Sequence, residues 1–219
     1  LNNQNPYGLV AVQYLSSHDE VANGKRRPAR DLKDRGSWGD SEYDAQAQTI
    51  TALATIIMAR GYPMIFMGDE FLEGYYSGNQ EYFKDDQPIT WANLTNTRAS
   101  NTMRAVRDLI NIRKTEINKP WYVDIQVIHV NNTAKVIGFS RGDSIYVIIN
   151  YDKVNYTNST SYGIPFPSAG TWNLIFKHPS GDYGDSWADS RLTPSVSYSG
   201  SGNVNINIPE YGVLIYKKQ

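Results

Sequence analysis

Residues 9–20 read Leu-Val-Ala-Val-Gln-Tyr-Leu-Ser-Ser-His-Asp-Glu, and this stretch decides the fold. Residues 9–15 are mostly apolar, which is typical of a strand buried on both faces of a parallel sheet. The segment that follows, from Ser16 to Tyr43, is polar and interrupted by glycine and proline, so it predicts a long loop. Loops of this length are more often functional than structural.

The same order of elements occurs again further along the chain. Residues 44–60 carry apolar side chains at helical spacing, and Gly61 follows where a left-handed helix cap is common. A second apolar run at 63–67 predicts another buried strand. A second long loop, from 69 to about 97, then leads to an amphipathic helix at 101–117. Strand, loop and helix repeated in this order predict βαβα units with a parallel sheet.

From Trp121 onward the pattern changes to short β-rich runs separated by turn signals such as Arg141-Gly142-Asp143. We predict seven strands, near 125–130, 134–141, 144–150, 161–166, 171–177, 203–208 and 212–217. So many short antiparallel strands in about 100 residues are typical of a β-sandwich. Residues 180–202 are rich in Gly, Ser and Asp and predict an extended loop. The sequence therefore divides into residues 1–118 and residues 119–219.

Composition and charge exclude several classes of protein. The hydrophobic share of 40% is typical of globular domains, and the formal net charge of −1 provides no field toward nucleic acid or an anionic membrane. The basic run Lys25-Arg26-Arg27 lies beside acids and is interpreted as a solvated loop. With no cysteine, disulfides, cysteine nucleophiles and thiolate metal sites are excluded. No apolar run approaches the ~20 residues that span a bilayer.

Two clusters of polar side chains follow the two predicted parallel strands. Residues 17–20 are Ser-His-Asp-Glu, and residues 68–71 are Gly-Asp-Glu-Phe. Functional groups of parallel α/β folds gather where the strands end, so we expect both clusters at one rim. The first cluster has the groups to orient a polyol, stabilise a cation or exchange protons, but a helix N-cap or a solvated loop explains its spacing equally well. Asp69 and Glu70 are adjacent, so we expect their side chains to diverge, and a structural role is favoured.

Residues 12–21, Val-Gln-Tyr-Leu-Ser-Ser-His-Asp-Glu-Val, resemble the last signature region of the alpha-amylase family of glycoside hydrolases. In that family the region ends in Asn-His-Asp or Ser-His-Asp at the tip of the seventh barrel strand. Residues 60–71 are similar to the eighth strand, and residues 87–91 resemble the loop that often ends in Trp before the eighth helix. The β-rich C-terminal part of the chain, which closes with Tyr-Gly-Val-Leu-Ile-Tyr at residues 211–216, looks like the family's C-terminal all-β domain. The resemblance therefore covers essentially the whole chain.

The resemblance implies both a fold and an activity. The fold is the last two βα units of a (β/α)8 TIM barrel, followed by a C-terminal antiparallel β-sandwich domain. The activity is that of a retaining glycoside hydrolase or transglycosylase on alpha-glucans such as starch, glycogen and maltooligosaccharides. The motif Ser-His-Asp-Glu-Val, followed by Asn23-Gly24, is most similar to the corresponding motif of 1,4-alpha-glucan branching enzymes and related bacterial amylases. Branching is therefore the favoured activity. No cofactor and no metal site is expected, and neither nucleic acid nor a membrane is an expected partner.

Individual roles follow only where residues match the family's motifs. By resemblance Asp19 is the third catalytic carboxylate, which stabilises the oxocarbenium-like transition state. His18 donates hydrogen bonds to hydroxyls of the sugar in the cleavage subsite. The weaker candidates for glucan contacts, for which structural roles are equally expected, are Glu20, Asp69, Glu70, Tyr75, Tyr76 and Trp91.

The departure from the family concerns its other two carboxylates. The nucleophilic Asp and the acid/base Glu lie on the fourth and fifth strands, upstream of the residues matched here, and the retaining mechanism needs both. Leu1 is not a natural start, so we expect a piece of a longer chain that is inactive by itself. A targeting signal would lie upstream, so the compartment is undetermined: cytoplasmic for a branching enzyme, secreted or periplasmic for an amylase.

Truncation also bears on partners. Faces normally covered by absent βα units would be exposed, so we expect a stable β-domain with helices packed against it and some self-association. Two alternatives make the β-domain a starch- or glycogen-binding module or a purely structural one, with the structural role favoured of the two. Burial of Trp121, Trp172 and Trp187 would remove the basis for binding, because stacking on sugars needs exposed aromatic faces.

Overall fold

The computed structural model describes residues 11–23, 25–34, 42–76, 88–117, 125–157, 160–185 and 189–219. Two short strands lie in the first half of the chain, β1 (Val12–Tyr14) and β2 (Tyr62–Met64). They pair in parallel, with Val12 opposite Tyr62 and Tyr14 opposite Met64. Both strands are shorter than the apolar runs at 9–15 and 63–67 predicted, but the parallel relation is as expected.

Helices follow each strand. The segment after β1 contains α1 (His18–Ala22) and α2 (Pro28–Asp34), so its prediction as loop throughout was wrong. These helices are too short for apolar periodicity to reveal, and a capping serine at Ser17 and a proline at the first helical position are their sequence signals. The two long helices are α3 (Glu42–Met58) and α4 (Thr97–Glu116), close to their predicted spans. Asn96 caps α4 by accepting a hydrogen bond from the Arg98 amide at 2.8 Å.

The second half forms a six-stranded antiparallel sheet in the order β3–β4–β5–β10–β7–β8 and a separate antiparallel pair, β6–β9. The strand bounds are β3 (Ile125–Asn131), β4 (Val136–Arg141), β5 (Ile145–Asn150), β6 (Tyr162–Ile164), β7 (Gly170–His178), β8 (Ser195–Tyr198), β9 (Val204–Ile206) and β10 (Val213–Lys218). Seven of these eight match the predicted strands.

β8 lies in the region predicted as an extended loop. Its Val196 and Tyr198 are buried and alternate with the exposed Ser195 and Ser197. As an edge strand that pairs only with β7, it needs few apolar residues. The surrounding glycine, serine and aspartate therefore obscured a short period-two pattern.

The six-stranded sheet is covered on both faces. One face packs against α3 and α4 through Ile50, Leu53, Ile57, Leu109, Phe139, Val147, Ile149 and Ile215. The other packs against the β6–β9 pair through Tyr146, Ile148, Ile164, Trp172, Ile206 and Tyr216. Central strand β5 is consequently buried at all six positions. The expected packing of helices against the β-domain is confirmed.

Polar contacts also join the two halves at the C-terminal end of α3. The Arg141 guanidinium donates to the carbonyls of Met58 and Ala59 at 2.6 and 2.5 Å. These carbonyls belong to the end of a helix, where no intrahelical donor remains and the partial charge is negative. The domain boundary predicted near 118 lies outside the described residues and stays a prediction. None of the described helices is long and apolar enough to span a membrane.

Candidate functional site

The carboxyl ends of β1 and β2 adjoin, as parallel pairing requires. Ser16 follows β1 and Asp69 follows β2, and the Ser16 hydroxyl donates to Asp69 Oδ2 at 2.5 Å. This contact joins residues 53 positions apart in the chain. The two polar clusters predicted to share one rim are therefore physically connected.

The first cluster lies in the opening turn of α1. Ser17 is the N-cap of this helix, and its Oγ accepts from the Glu20 amide at 3.5 Å. His18 Nε2 lies 3.3 Å from Asp19 Oδ1, and the two side chains are 64% and 79% exposed. The helix-cap interpretation is thus correct for Ser17, while His18 and Asp19 present their polar groups to solvent.

Glu20 occupies different surroundings, since it lines a cleft of about 760 Å³. The cleft is bounded by α1, α2 and α3 on one side and by residues of the β-domain on the other. Other residues that line it are Ser16, Lys25, Arg26, Asp31, Gln48, Thr49, Tyr151 and Tyr211. Neither His18 nor Asp19 lines this cleft.

Asp69 is buried rather than presented to solvent. Its Oδ1 lies 3.5 Å from Arg27 Nη1, and the two side chains are only 2% and 1% exposed. This separation is that of an ion pair without a good hydrogen bond. Burial raises the pKa of Asp69 to about 7, although the Ser16 hydroxyl and the Arg27 guanidinium both act to lower it. Burial likewise lowers the pKa of Arg27.

Arg27 itself ties the start of α2 to the chain after β2. Its Nη1 donates to the Met67 carbonyl at 2.9 Å, and its guanidinium lies 4.4 Å from the centre of the Phe66 ring. The interpretation of Lys25-Arg26-Arg27 as a solvated run is therefore wrong for Arg27. A run of like charges does not reveal which member pairs with a carboxylate that is remote in sequence.

Glu70 and Glu73 belong to the same turn but have different partners. Glu70 Oε2 accepts from the Gly68 amide at 2.8 Å, so Asp69 and Glu70 do diverge. Glu73 is fully buried and accepts from the Thr90 amide at 3.2 Å and from Asn93 Nδ2 at 2.9 Å. Glu73 was not among the residues predicted from the sequence, because a single acid in a loop without periodicity carries no signal of burial.

Gly68 is required where the turn closes. Its φ is +101°, and a Cβ there would lie 2.6 Å from Glu73 Cβ. The close approach brings the Glu73 amide to the Gly68 carbonyl at 2.9 Å. A glycine directly before Asp69 is the sequence signal of this tight turn.

Trp91 is the most exposed of the predicted aromatic contacts. It opens a 3-10 turn at Trp91–Thr95, is 61% exposed, and has its ring centre 5.4 Å from that of Phe71. Tyr75 is buried, with Lys33 Nζ 4.8 Å from its ring centre and the Tyr76 ring 4.9 Å away. Of these aromatics, Trp91 has a face available to a sugar. Gln87 of the same predicted loop lies outside the described residues.

The aromatic residues described in the β-domain mostly serve its interior. Trp172 is fully buried, and its indole nitrogen donates to the Ser168 carbonyl at 3.0 Å. Trp121 and Trp187 lie outside the described residues. Within the described ranges, no group of three or more His, Cys, Asp or Glu side chains is arranged to hold a metal ion.

Comparison with known proteins relates the β-rich second half of the chain to a protein family. Residues 127–219 match the family model described as alpha amylase, C-terminal all-beta domain. The predicted C-terminal all-β domain of the alpha-amylase family is therefore confirmed for these residues. A search of curated proteins found no significant match.

Solved structures share the fold of nearly the whole chain. The crystal structure of alpha-amylase from H. orenii is 17% identical with a TM-score of 0.56, over 96% of this chain and 40% of that one. A Thermus thermophilus protein is 15% identical with a TM-score of 0.55, over 94% of this chain and 35% of that one. The chain thus spans well under half the length of these two structures, and at such identities the likeness concerns the fold alone.

Proposed function

We propose that the chain is the C-terminal part of an alpha-amylase-family enzyme that acts on alpha-glucans. The match of residues 127–219 to the family's C-terminal domain carries the proposal. The arrangement before that domain supports it, because a parallel strand pair ends in adjoining Ser-His-Asp and Gly-Asp-Glu turns. On this proposal residues 11–117 belong to the last two βα units of a (β/α)8 barrel, and alpha-glucans are the partner.

Asp19 and His18 are the residues proposed to face the sugar. Their side chains lie 3.3 Å apart just after the carboxyl end of β1, and both are mostly exposed. A carboxylate there stabilises the positive charge that develops at the anomeric carbon, and the imidazole donates to a neighbouring hydroxyl. The nucleophile and the acid/base belong to upstream strands, so the 219 residues alone are proposed to be inactive.

We propose branching rather than hydrolysis because residues 17–21 read Ser-His-Asp-Glu-Val, the form of the motif that is most similar to that of branching enzymes. Both reactions pass through the same glycosyl-enzyme, and they differ in whether a glucan hydroxyl or water attacks it. The contacts proposed for Glu20, Glu70 and Trp91 would then lie toward the acceptor or donor chain, while the buried Asp69 is proposed to act through Ser16. Of these four, Trp91 is the best placed for stacking because its face is exposed.

The test is amylose turnover by the longer protein, comparing wild type with Asp19→Ala. We expect the rate to fall by about 100-fold or more, with unchanged circular dichroism. Asp182→Asn, at an exposed aspartate of the β-domain, is the matched control and should keep the wild-type rate. Near-normal activity of Asp19→Ala would refute the assignment. Linkage analysis of the products decides the finer point: if no new alpha-1,6 bonds form on amylose, branching is wrong.

The β-domain is proposed to be structural rather than a glucan-docking module. Burial of Trp172 favours this choice, as do the contacts that Arg141 makes to the end of α3. The docking alternative predicts retardation of the chain in gels that contain amylose. Unchanged mobility in such gels would support the structural role.

Self-association of the isolated chain is a further part of the proposal. Val12, Tyr14, Tyr62 and Met64 share one face of the β1–β2 pair, and all four are exposed. An apolar sheet face of this kind lowers its free energy by being covered. The 219-residue chain is therefore expected to associate in a concentration-dependent manner.

A further inference from the structure

The loop at residues 68–73 carries two acids, Asp69 and Glu73, whose side chains are buried away from any ligand. Each acid reaches a segment that bears a residue proposed to contact the glucan. Asp69 accepts a hydrogen bond from Ser16, three positions before Asp19, while Glu73 accepts from Thr90, directly before Trp91, and from Asn93, two positions after it. Burying a carboxylate is costly unless it is paired, so such a pair on one short loop calls for a reason.

We infer that the 68–73 loop is a positioning element, in which Asp69 fixes the His18–Asp19 turn and Glu73 fixes Trp91 relative to the end of β2. The inference rests on the proposed function for the meaning of Asp19 and Trp91. The connections themselves are independent of that function. None of the two acids is assigned a contact with substrate.

The Asp69 connection acts through the start of α1. The Ser16 hydroxyl is bound at 2.5 Å and the Ser16 side chain is buried, so the chain has a fixed point immediately before the Ser17 cap. From Ser17 the helix ladder continues, with the Val21 amide donating to the Ser17 carbonyl at 3.2 Å and the Asn23 amide to the Asp19 carbonyl at 3.0 Å. The backbone that carries Asp19 is thereby held from both sides, although its side chain is exposed.

Arg27 completes this half of the arrangement. Its guanidinium approaches Asp69 from the α2 side and its Nη1 donates to the Met67 carbonyl, so the buried acid and the buried base lie within the same small volume. Phe66 covers the guanidinium at 4.4 Å and excludes solvent from it. Two segments that are separate in sequence, the end of β1 and the start of α2, therefore converge on one carboxylate.

The Glu73 connection acts through the 3-10 turn that begins at Trp91. Glu73 accepts from the Thr90 amide before the indole and from the Asn93 side chain after it. The turn is closed by the Asn93 amide, which donates to the Thr90 carbonyl at 2.9 Å. Trp91 is consequently exposed on a braced turn, which is the geometry that a stacking platform needs.

The first experiment measures amide hydrogen exchange in the 219-residue chain. Ser16→Ala removes the hydroxyl that meets Asp69, and we expect the Val21 and Asn23 amides to exchange about tenfold faster. Glu73→Gln should likewise speed exchange at Asn93 and at Asn96. Ser201→Ala, at an exposed serine of the β-domain, is the control and should change neither set. If the α1 amides of Ser16→Ala exchange at the wild-type rate, the inference is wrong.

The second experiment measures kcat and KM of the longer protein on amylose. Displacement of Asp19 should lower kcat of Ser16→Ala by about 10-fold to 100-fold and leave KM nearly unchanged, because a positioned group acts on the transition state. Asp69→Asn keeps the shape of the side chain and replaces Ser16→Ala if that variant fails to fold. It should show the same decrease in kcat with a nearly unchanged KM. An unchanged kcat in a folded variant would overturn the inference.

The two experiments separate this inference from the proposed function. If the wild-type longer protein has no activity on glucans, the proposed function fails. The exchange rates still decide whether the 68–73 loop holds α1 and the Trp91 turn. If activity is present but exchange is unaltered by the variants, the proposed function stands and the positioning role is wrong.

Discussion

The six-stranded sheet and the β1–β2 pair differ in how completely the rest of the described chain covers them. β5 and β10 lie in the middle of six strands, with helices on one face and the β6–β9 pair on the other. The β1–β2 pair has three residues in each strand and leaves Val12 and Tyr62 about half exposed, at 54% and 50%. Strands that carry apolar side chains thus belong to a closed core in one half and to an open rim in the other.

The stability of the chain resides mainly in the core around the six-stranded sheet. The first half has little core of its own beyond a small cluster around Ala45 and Leu72, and its long helices bury their apolar side chains against the β-domain's sheet. The rim, by contrast, is held by buried polar contacts such as Ser16 with Asp69. Apolar packing therefore stabilises the β-domain, and a few specific hydrogen bonds organise the candidate site.

The largest expected contrast comes from a pair of aromatic truncations. Trp172→Ala empties a fully buried position and should cost about 3–5 kcal/mol of unfolding free energy. Tyr62→Ala on the open rim should stay within about 0.5 kcal/mol. Urea unfolding followed by circular dichroism measures both values. Equal costs would mean that the rim is as well packed as the core.

Next in size is the link between the halves at the end of α3. Arg141→Met removes the donors to the Met58 and Ala59 carbonyls and should cost about 1.5–3 kcal/mol. Lys114→Ala, at an exposed position of α4, should cost less than about 0.5 kcal/mol. Thermal unfolding in a calorimeter gives both. A midpoint for Arg141→Met equal to that of the control would show that contacts other than those of Arg141 join the halves.

The buried histidine of the β-domain predicts a pH dependence of stability. Burial lowers the pKa of His178 to about 3 from an ordinary value of 6.5, so between these values the unfolded chain binds a proton that the folded chain does not. Unfolding free energy should therefore fall as the pH falls from 6.5, by at most about 1.4 kcal/mol per pH unit. His178→Leu should flatten this slope in urea titrations at pH 6.5 and 5.5. A slope unchanged by His178→Leu would contradict the assignment.

The buried aspartate of the rim should have the opposite sign. The pKa of Asp69 is about 7 in the folded chain and 3.8 ordinarily, so the folded chain binds the extra proton between these values. Its contribution to stability is present below pH 3.8 and is lost as the pH rises toward 7, again by at most about 1.4 kcal/mol per unit. The unfolding free energy of Asp69→Asn should not show this decrease between pH 5 and pH 7, whereas that of the wild type should. If the His178 and Asp69 contributions to unfolding free energy changed with pH in the same direction, the predicted difference between the two halves would be wrong.

The smallest expected effect concerns association through the rim. Replacing Val12 and Tyr62 together by Ser should raise the dissociation constant of self-association a few-fold, about 1 kcal/mol or less. Val154→Ser, at an exposed position of the β-domain, is the matched control and should leave it unchanged. Sedimentation velocity at several concentrations measures the constant. Equal effects of the rim and control variants would place the contact elsewhere.

Much of the fold could be read from local patterns. Alternation and turn residues gave seven strands of the β-domain, and helical spacing gave α3 and α4, because these signals arise from residues that are neighbours in sequence. α1, α2 and β8 were missed because each is too short for its period to stand out. The candidate site was half recognised: Ser-His-Asp at the end of β1 was singled out, but Ser16, Arg27 and Glu73 were not.

Local sequence patterns identified most strands and both long helices, the parallel direction of β1 and β2, and the polar clusters that follow both. Which polar groups are buried depends on the tertiary structure. Arg27 and Lys25 look alike in a basic run, yet one is enclosed against Asp69 and the other is exposed. The physical reason is that desolvation depends on all atoms nearby in space. Partners such as Ser16 and Asp69, 53 positions apart, meet only after the chain has folded.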